Sequence, residues 1–349
     1  MARLYFDDNN MPIDSIIQLL SASDYGNTSI RLFSLGRHAL AAGLQVLSVG
    51  KGDSVLVPDF ICRDLLASIN SLQANPLFYP VDRLLRPISL PESPRAKAVI
   101  AVNYFGFPQV LTPFRDYCSE QGSVLIEDNA HGFLSRDQNG TLLGSRGDIG
   151  IYSLRKTFAL PDGAALLINK TNLVKAVPQA LPCLDESLSV GFIIKQHLRK
   201  IQNASGIRVR SQGEQITRWL RRLRTGHTLP LPSPDAEYLI PGKPPILCAS
   251  VKMLQKINME REVERRRLLF HEFHQCLSHL NIEPLFHDLH HGVAPYGYPF
   301  RADATDANKA AKIALQRGFD CSYWPDLPTS VPFVVPDFHR KVWWVNFIC

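Results

Sequence analysis

No apolar run in this sequence approaches the roughly 18 residues a membrane-spanning helix needs, so no transmembrane helix is expected. Charge of one sign is also scarce. The excess of Lys and Arg over Asp and Glu is +6 across 349 residues, too small to imply a nucleic-acid partner unless it is clustered. The first residues, MARLYFDDNNMPIDS, carry early acids and lack the apolar stretch of a secretory signal. The seven cysteines contain no Cys-x-x-Cys pair and none sits with histidine at zinc-finger spacing. They read as scattered reduced thiols of a cytosolic protein. The Asn-x-Ser/Thr matches at Asn27, Asn139 and Asn203 then carry no glycosylation meaning.

Two other signatures fall short. Gly50-Lys51-Gly52-Asp53 has neither the upstream glycine nor the following Ser/Thr of a phosphate-binding Walker loop. His271-Glu272-Phe273-His274 has the wrong spacing for a zinc protease helix. His287, His290 and His291 read as a polar loop rather than a metal site, and no metal is expected.

What is present is an ordinary globular balance, 45% hydrophobic and 20% charged, in a chain long enough for one large or two ordinary domains. The first half alternates helices and strands. Helices are expected over Gly36 to Val49, Arg63 to Leu72 and Pro113 to Gln121. Strands are expected over Ser54 to Val57, Ala98 to Val102, Ser123 to Ile126, Ile149 to Leu154 and Ala164 to Ile168. Continuously apolar strands separated by helices predict an α/β fold with a mostly parallel sheet covered on both faces. From Lys195 to Arg224 the chain carries nine Lys or Arg, and Leu229 to Pro245 is proline-rich, as in a linker. Val251 to Leu280 is a long charged stretch of helical period. The tail runs strand (Val293 to Phe300), helix (Asp306 to Arg317), strand (Phe319 to Tyr323). The division expected is a large domain over 1–245 and a small C-terminal α/β domain over 246–349.

Ligands of open α/β sheets bind at the carboxyl ends of the strands, so polar residues just after the apolar runs are the candidates. Asp128 follows one strand and can hold a cation or a protonated ring nitrogen. Lys156 follows another, and a buried lysine with a lowered pKa can add to a carbonyl. Gly36-Arg37-His38 opens a helix whose free N–H groups suit a phosphate. His131 lies three residues beyond Asp128. Each has a blander explanation alone: a turn carboxylate, a surface lysine, a glycine turn, a structural histidine. Together a phosphate cradle, a strand-end carboxylate and a strand-end lysine are the parts pyridoxal 5'-phosphate requires.

Six motifs in order then resemble the DegT/DnrJ/EryC1/StrS aminotransferases, fold-type-I pyridoxal-phosphate enzymes that mostly act on nucleotide-linked keto-sugars. Ser34 to Leu40 is similar to the family's phosphate turn, and Gly52-Asp53-Ser54-Val55-Leu56-Val57-Pro58 to its Gly-Asp-Glu-Val-Ile-x-Pro strand. Pro80-Val81-Asp82, Asn103 to Pro108 and Ile126-Glu127-Asp128-Asn129-Ala130-His131 follow. Gly140 to Ser153 then leads to Lys156 and Asp162-Gly163-Ala164. The resemblance implies a fold-type-I transferase with a three-layer large domain, pyridoxal phosphate as cofactor, and a homodimer acting on an amino donor and a keto acceptor. It implies Lys156 as the lysine that holds the cofactor and moves protons, and Asp128 as partner of the ring nitrogen. His131 would lie near the ring oxygen or substrate. Ser153, Gly36, Arg37 and His38 would contact the phosphate, the last three largely through backbone groups, and Cys62 takes the place of an aromatic that stacks on the ring.

Departures accompany the match. Two residues separate Ser153 from Lys156 where the family usually has four, and the Gly-x-Asn-x-Arg-Met motif that reaches a neighbouring subunit is not visible. The chain stops at Cys349, soon after Trp344-Val345-Asn346-Phe347, where relatives continue. An aminotransferase is expected, since Lys156 is retained. The other expectation is a catalytically weak or non-enzymatic relative in a regulatory or assembly role. Nucleic-acid binding through the basic stretch is the less favoured third.

Overall fold

The computed structural model describes residues 29–91, 93–176, 179–205, 233–324, 326–332 and 334–348. The opening segment through residue 28, most of the basic stretch beyond Ser205, the start of the proline-rich segment and Cys349 lie outside the described residues.

Seven strands form the first sheet: β1 (Ser29–Phe33), β2 (Ser54–Pro58), β3 (Asn75–Tyr79), β4 (Ala98–Val102), β5 (Val124–Asn129), β6 (Ile149–Tyr152) and β7 (Ala164–Ile168). Their order is β1-β7-β6-β5-β4-β2-β3. The run from β6 through β3 is parallel, and β7 is antiparallel to both β6 and β1. Strands β2, β4, β6 and β7 are buried along their whole length, which is why their sequences are apolar without alternation. Helix α1 (Gly36–Val46) packs on β7 and β6, burying Ala39, Leu40, Leu44 and Val46 at helical spacing.

Several elements differ from expectation. The helix expected over Arg63 to Leu72 is a 3-10 turn (Arg63–Leu65) followed by α2 (Leu66–Asn70). Helix α3 (Thr112–Gln121) starts with proline in its first turn and stops at Gly122, whose φ of 63° is the left-handed cap glycine tolerates. Strand β5 runs on through Asn129, so Glu127 and Asp128 belong to the strand rather than following it. The strand tolerates two carboxylates because alternate side chains face opposite ways. Glu127 is fully buried against Arg146, while Asp128 faces the cavity described below.

After Lys156, which stands in the short helix α4 (Leu154–Thr157), the chain passes through β7 to α5 (Val190–Ser205). The long charged stretch splits into α6 (Cys248–Leu254) and α7 (Met259–Leu277), with the Asn258 side chain capping the second by accepting from the Arg261 N–H at 2.9 Å. The second sheet has the order β10-β11-β9-β8, from β8 (Glu283–Pro284), β9 (Gly297–Arg301), β10 (Asp320–Tyr323) and β11 (Val342–Asn346), with α8 (Ala304–Gln316) against it. It is antiparallel throughout, so the C-terminal part segregates helices from an antiparallel sheet instead of alternating them.

Arg266 of α7 is 1% exposed and joins the parts. Its Nε donates to Glu262 at 2.7 Å, and its Nη1 donates to the carbonyls of Pro295 (3.0 Å) and Tyr296 (3.2 Å). Its Nη2 donates to the carbonyl of Thr157, next to Lys156. A buried guanidinium with every branch engaged fixes the start of the second sheet against the Lys156 turn.

One expectation is corrected. Cys183 and Cys248 are joined as a disulfide spanning 65 residues, so the cysteines are not all scattered thiols. Both flank a backbone bridge: the N–H of Leu184 donates to Ile246 and that of Cys248 to Leu184, at 2.8 and 2.9 Å. That pairing brings residues distant in sequence side by side. Cys62, Cys118 and Cys276 remain free thiols.

Candidate functional site

At the carboxyl ends of β2, β4, β5 and β6 a cavity of about 240 Å3 opens. It lies just below the roughly 300–1,000 Å3 usual for ligand pockets, so it suits a compact ligand. Gly36, Arg37, Cys62, Asp128, His131, Ser153 and Lys156 all line it. Strand ends and one helix start thus bring together residues spread over more than a hundred positions.

Lys156 is carried on α4, and its Nζ lies 3.3 Å from Nε2 of His131. Burial lowers the pKa of Lys156, and burial lowers that of His131 well below its usual value. Both are pushed toward their neutral forms. The Phe105 N–H donates to Nδ1 of His131 at 3.4 Å, which assigns the ring proton to Nε2, facing Lys156. In that tautomer His131 donates to a neutral amine, and a neutral lysine amine is a nucleophile toward carbonyls.

Phe105 owes this placement to an uncommon backbone, φ 54° and ψ 17°, in the 3-10 turn Tyr104–Gly106. Its carbonyl accepts from the Tyr296 N–H at 2.8 Å. The Tyr296 ring stacks on His131 with centroids 4.4 Å apart and planes 2° from parallel. One left-handed residue therefore sets both the ring nitrogen and the stacking partner of His131, a local strain over-determined by its surroundings.

Asp128 sits across the site. Burial raises its pKa, opposed by the nearby Lys156 charge and by the Ala130 N–H, which donates to it at 3.0 Å. A protonated ring nitrogen is the kind of partner a buried carboxylate in this position lacks. At the opposite side α1 begins. The first N–H groups of a helix have no partner inside it. A Cβ built on Gly36 would lie 3.9 Å from Cβ of Ser153, so the two face each other across a narrow gap. Arg37 pairs with Asp64 at 3.4 Å.

The His38 side chain does not line the cavity. Its N–H donates to Leu35, its ring lies off the wall, and its Nε2 is buried without a partner. The α1 periodicity explains this, since the third helical residue is turned well away from the first. Cys62 does line the cavity, with its thiol pushed up by burial, where it can pack but cannot stack.

Other wall residues went unforeseen. Tyr296, Trp324 and Trp344 come from the C-terminal part. The Trp324 ring stacks on Phe60 at 4.6 Å. Only Trp344 stood in a quoted segment, and nothing assigned it to the cavity, because the place of all three depends on how the second sheet docks. Asn103 and Arg155 also line the wall. Asn103 stood in a quoted motif, and its Nδ2 donates to Glu127 at 2.8 Å. Among the described residues no group of three or more His, Cys, Asp or Glu gathers as a metal site. No helix among them is long and apolar enough to cross a membrane.

The donor set fits pyridoxal phosphate. A helix start facing Ser153 suits the phosphate, a buried carboxylate suits the ring nitrogen, and a half-buried amine suits the aldehyde.

Comparison with known proteins finds aminotransferases. The model of the DegT/DnrJ/EryC1/StrS aminotransferase family matches residues 29–183. A curated relative, the dTDP-4-dehydro-2,3,6-trideoxy-D-glucose 4-aminotransferase of Saccharopolyspora spinosa, is 37% identical over 123 residues. The match covers 34% of this chain and 32% of that relative, so the chain spans about a third of the length of the protein it matches. Among solved structures, the aminotransferase TlmJ of Streptoalloteichus hindustanus superposes with a TM-score of 0.60 at 21% identity, covering 96% of this chain and 83% of that one. A DegT DnrJ EryC1 StrS aminotransferase from Brucella abortus gives 0.59 at 17% identity, over 91% and 80% of the two chains. The E. coli GDP-4-keto-6-deoxy-D-mannose-3-dehydratase gives 0.58 at 15%, over 96% and 86%. At these identities the structures establish the fold, which is the expected fold-type-I arrangement.

Proposed function

We propose that this chain, similar to the DegT/DnrJ/EryC1/StrS aminotransferases over residues 29–183, is a pyridoxal-phosphate-dependent aminotransferase. Its acceptor is a keto-sugar of the nucleotide-linked class, in keeping with the dTDP-linked sugar in the name of its Saccharopolyspora spinosa relative. The observation that carries the reading is Lys156: a half-buried amine 3.3 Å from a half-buried histidine, in one cavity with Asp128 and the start of α1.

Pyridoxal phosphate, when bound, supplies an aldehyde for the lysine and an electron-withdrawing ring. The chain's own residues do the rest. Asp128 would pair with a protonated ring nitrogen, its burial making that pairing strong. Lys156, its pKa lowered by burial, would hold the cofactor's aldehyde and could take and return a proton at Nζ. His131 orients that amine through Nε2. Tyr296, Trp324 and Trp344 close the cavity against water.

The test is chemical. The purified chain is mixed with pyridoxal phosphate, reduced with borohydride and digested, and the label should sit on Lys156 and vanish in Lys156→Ala. Single amino acids should then shift the absorbance of the loaded protein in a half-reaction. No label at Lys156 refutes the reading. A label without a half-reaction from any amino acid would favour a relative that keeps the site without turnover.

We further propose a homodimer, to be checked by sedimentation. The division between the two parts is proposed to fall after α6 rather than at residue 245. Leu254 is packed into the cluster of Tyr152, Leu154 and Leu167 that backs the first sheet.

A further inference from the structure

The turn that carries Lys156 puts a second cation on the cavity wall. Arg155 lines the cavity, and its Nε is sealed from solvent without a hydrogen-bond partner. Among the described residues no side chain forms an ion pair with its guanidinium. The two acids whose charges reach it are engaged elsewhere. Both oxygens of Asp162 accept, one from the Leu247 N–H at 3.0 Å and the other from the Ser250 hydroxyl. Asp64 is paired with Arg37. A guanidinium keeps its charge under any ordinary condition, and leaving one half-buried on a cavity wall, with its Nε sealed and no anion beside it, is costly.

Its position says which anion completes it. The Arg155 N–H donates to the Gly163 carbonyl at 3.2 Å, and the Gly163 N–H donates to the Ser34 carbonyl at 2.7 Å. Arg155 is thereby tied to the turn that opens α1. Ser153, two residues before it, faces Gly36. Lys156 lines the cavity with Arg155, Arg37 and Gly36 at the start of α1, and with Asp128 at the end of β5. No motif singled out in the sequence includes Arg155 among its contacts.

We propose that Arg155 is a phosphate-gripping residue, its guanidinium fork binding the cofactor's phosphate beside Ser153 and the first amides of α1. This inference rests on the cofactor reading above. A planar fork matches two oxygens of a phosphate, and the fixed backbone of Arg155 pre-orients it. The anion-binding end of the cavity is then supplied with charge from within one chain.

The experiment is binding, not turnover. Cofactor-free wild type, Arg155→Met and Arg155→Lys are titrated with pyridoxal phosphate and, separately, with unphosphorylated pyridoxal, each followed by absorbance and tryptophan quenching. Arg155→Met should weaken pyridoxal phosphate about 10- to 100-fold, the loss expected of hydrogen bonds to a charged group. Pyridoxal should bind wild type and variant alike, which also reports that the variant is folded. Arg155→Lys, which keeps the charge without the fork, should fall between. Equal weakening of both ligands, or unchanged pyridoxal phosphate binding, overturns the proposal. Unchanged cofactor binding with a raised KM for a carboxylate donor would assign the fork to the donor and equally overturn it. A wild type that binds neither ligand overturns the cofactor reading together with this one.

Discussion

Replacing Glu127 with glutamine changes one oxygen to an amide nitrogen at the point where four donors converge. Arg146 donates to Oε1 through Nε at 2.8 Å and through Nη2 as well, and its backbone N–H donates to Oε2 at 3.0 Å. Asn103 Nδ2 also donates to Oε1, at 2.8 Å. Glu127 is fully buried and the Arg146 side chain is 8% exposed. Glutamine offers one acceptor oxygen, and whichever way it turns, its NH2 faces a donor. The guanidinium is left without its principal counter-charge. Breaking a buried pair by neutralising one member costs about 3–5 kcal/mol, a large share of the roughly 5–15 kcal/mol that holds a domain together. The remaining Arg146 bonds, from Nη2 to Asn103 Oδ1 at 2.9 Å and from Nη1 to the Gln109 carbonyl at 3.4 Å, and Asp137 at 3.8 Å offset little of this. Urea unfolding of Glu127→Gln at neutral pH should show a loss of about 3–5 kcal/mol with an unchanged m-value. Cofactor affinity should fall too, because Asp128 is the next residue of β5. A loss under about 1 kcal/mol would refute the reasoning. It would mean that water reaches Arg146 through the second, polar cavity that this residue also lines.

Three further outcomes are expected. Gly150→Ala in β6 should lower stability by about 1–3 kcal/mol or more, because a Cβ there overlaps the Gly144 carbonyl; a variant melting like wild type would show that β6 can shift. The buried pair Asp59 and His339 has opposing pH effects. Burial raises Asp59 from 3.8 to about 6, so between those values the fold binds a proton the unfolded chain does not, and stability falls as pH rises. Burial lowers His339 from 6.5 to about 4, so in that window the unfolded chain binds the extra proton, and stability rises with pH. Asp59→Asn removes the first effect, and its unfolding free energy should climb more steeply from pH 4 to 6.5 than that of wild type; parallel profiles would contradict the assignment. Finally, Cys183 and Cys248 should resist alkylation in denaturant until a reductant is added, and labelling of both beforehand would disprove their pairing.

The parts of the site on the first sheet were legible because strand-end chemistry is local. Asp128 and Lys156 each stand within a few residues of a run of apolar strand, and Gly36 opens a periodic helix. Local pattern also misled. Glu127 and Asp128 looked too polar for a strand, yet Arg146 lets the strand continue past them. His38 looked like part of the phosphate turn, but helical rotation carries its ring away. Nothing assigned Tyr296, Trp324 or Trp344 to the site, since an aromatic in or beside a strand is ordinarily core. The Cys183–Cys248 pairing was invisible for the same reason, as connectivity is set by which segments meet.

By itself, then, the sequence determined the alternation of apolar strands and helices, the parallel sheet that follows from it, and the lysine and carboxylate at the strand ends. Side-chain periodicity and burial act over a few residues, so they can be read along the chain. Only the tertiary structure decided that Phe105 would turn left-handed to aim His131 at Lys156, that the second sheet would wall the cavity with aromatics, and that Arg155 would face it without a partner. Those are contacts between residues far apart in the chain, and their energies exist only once the two sheets are packed together.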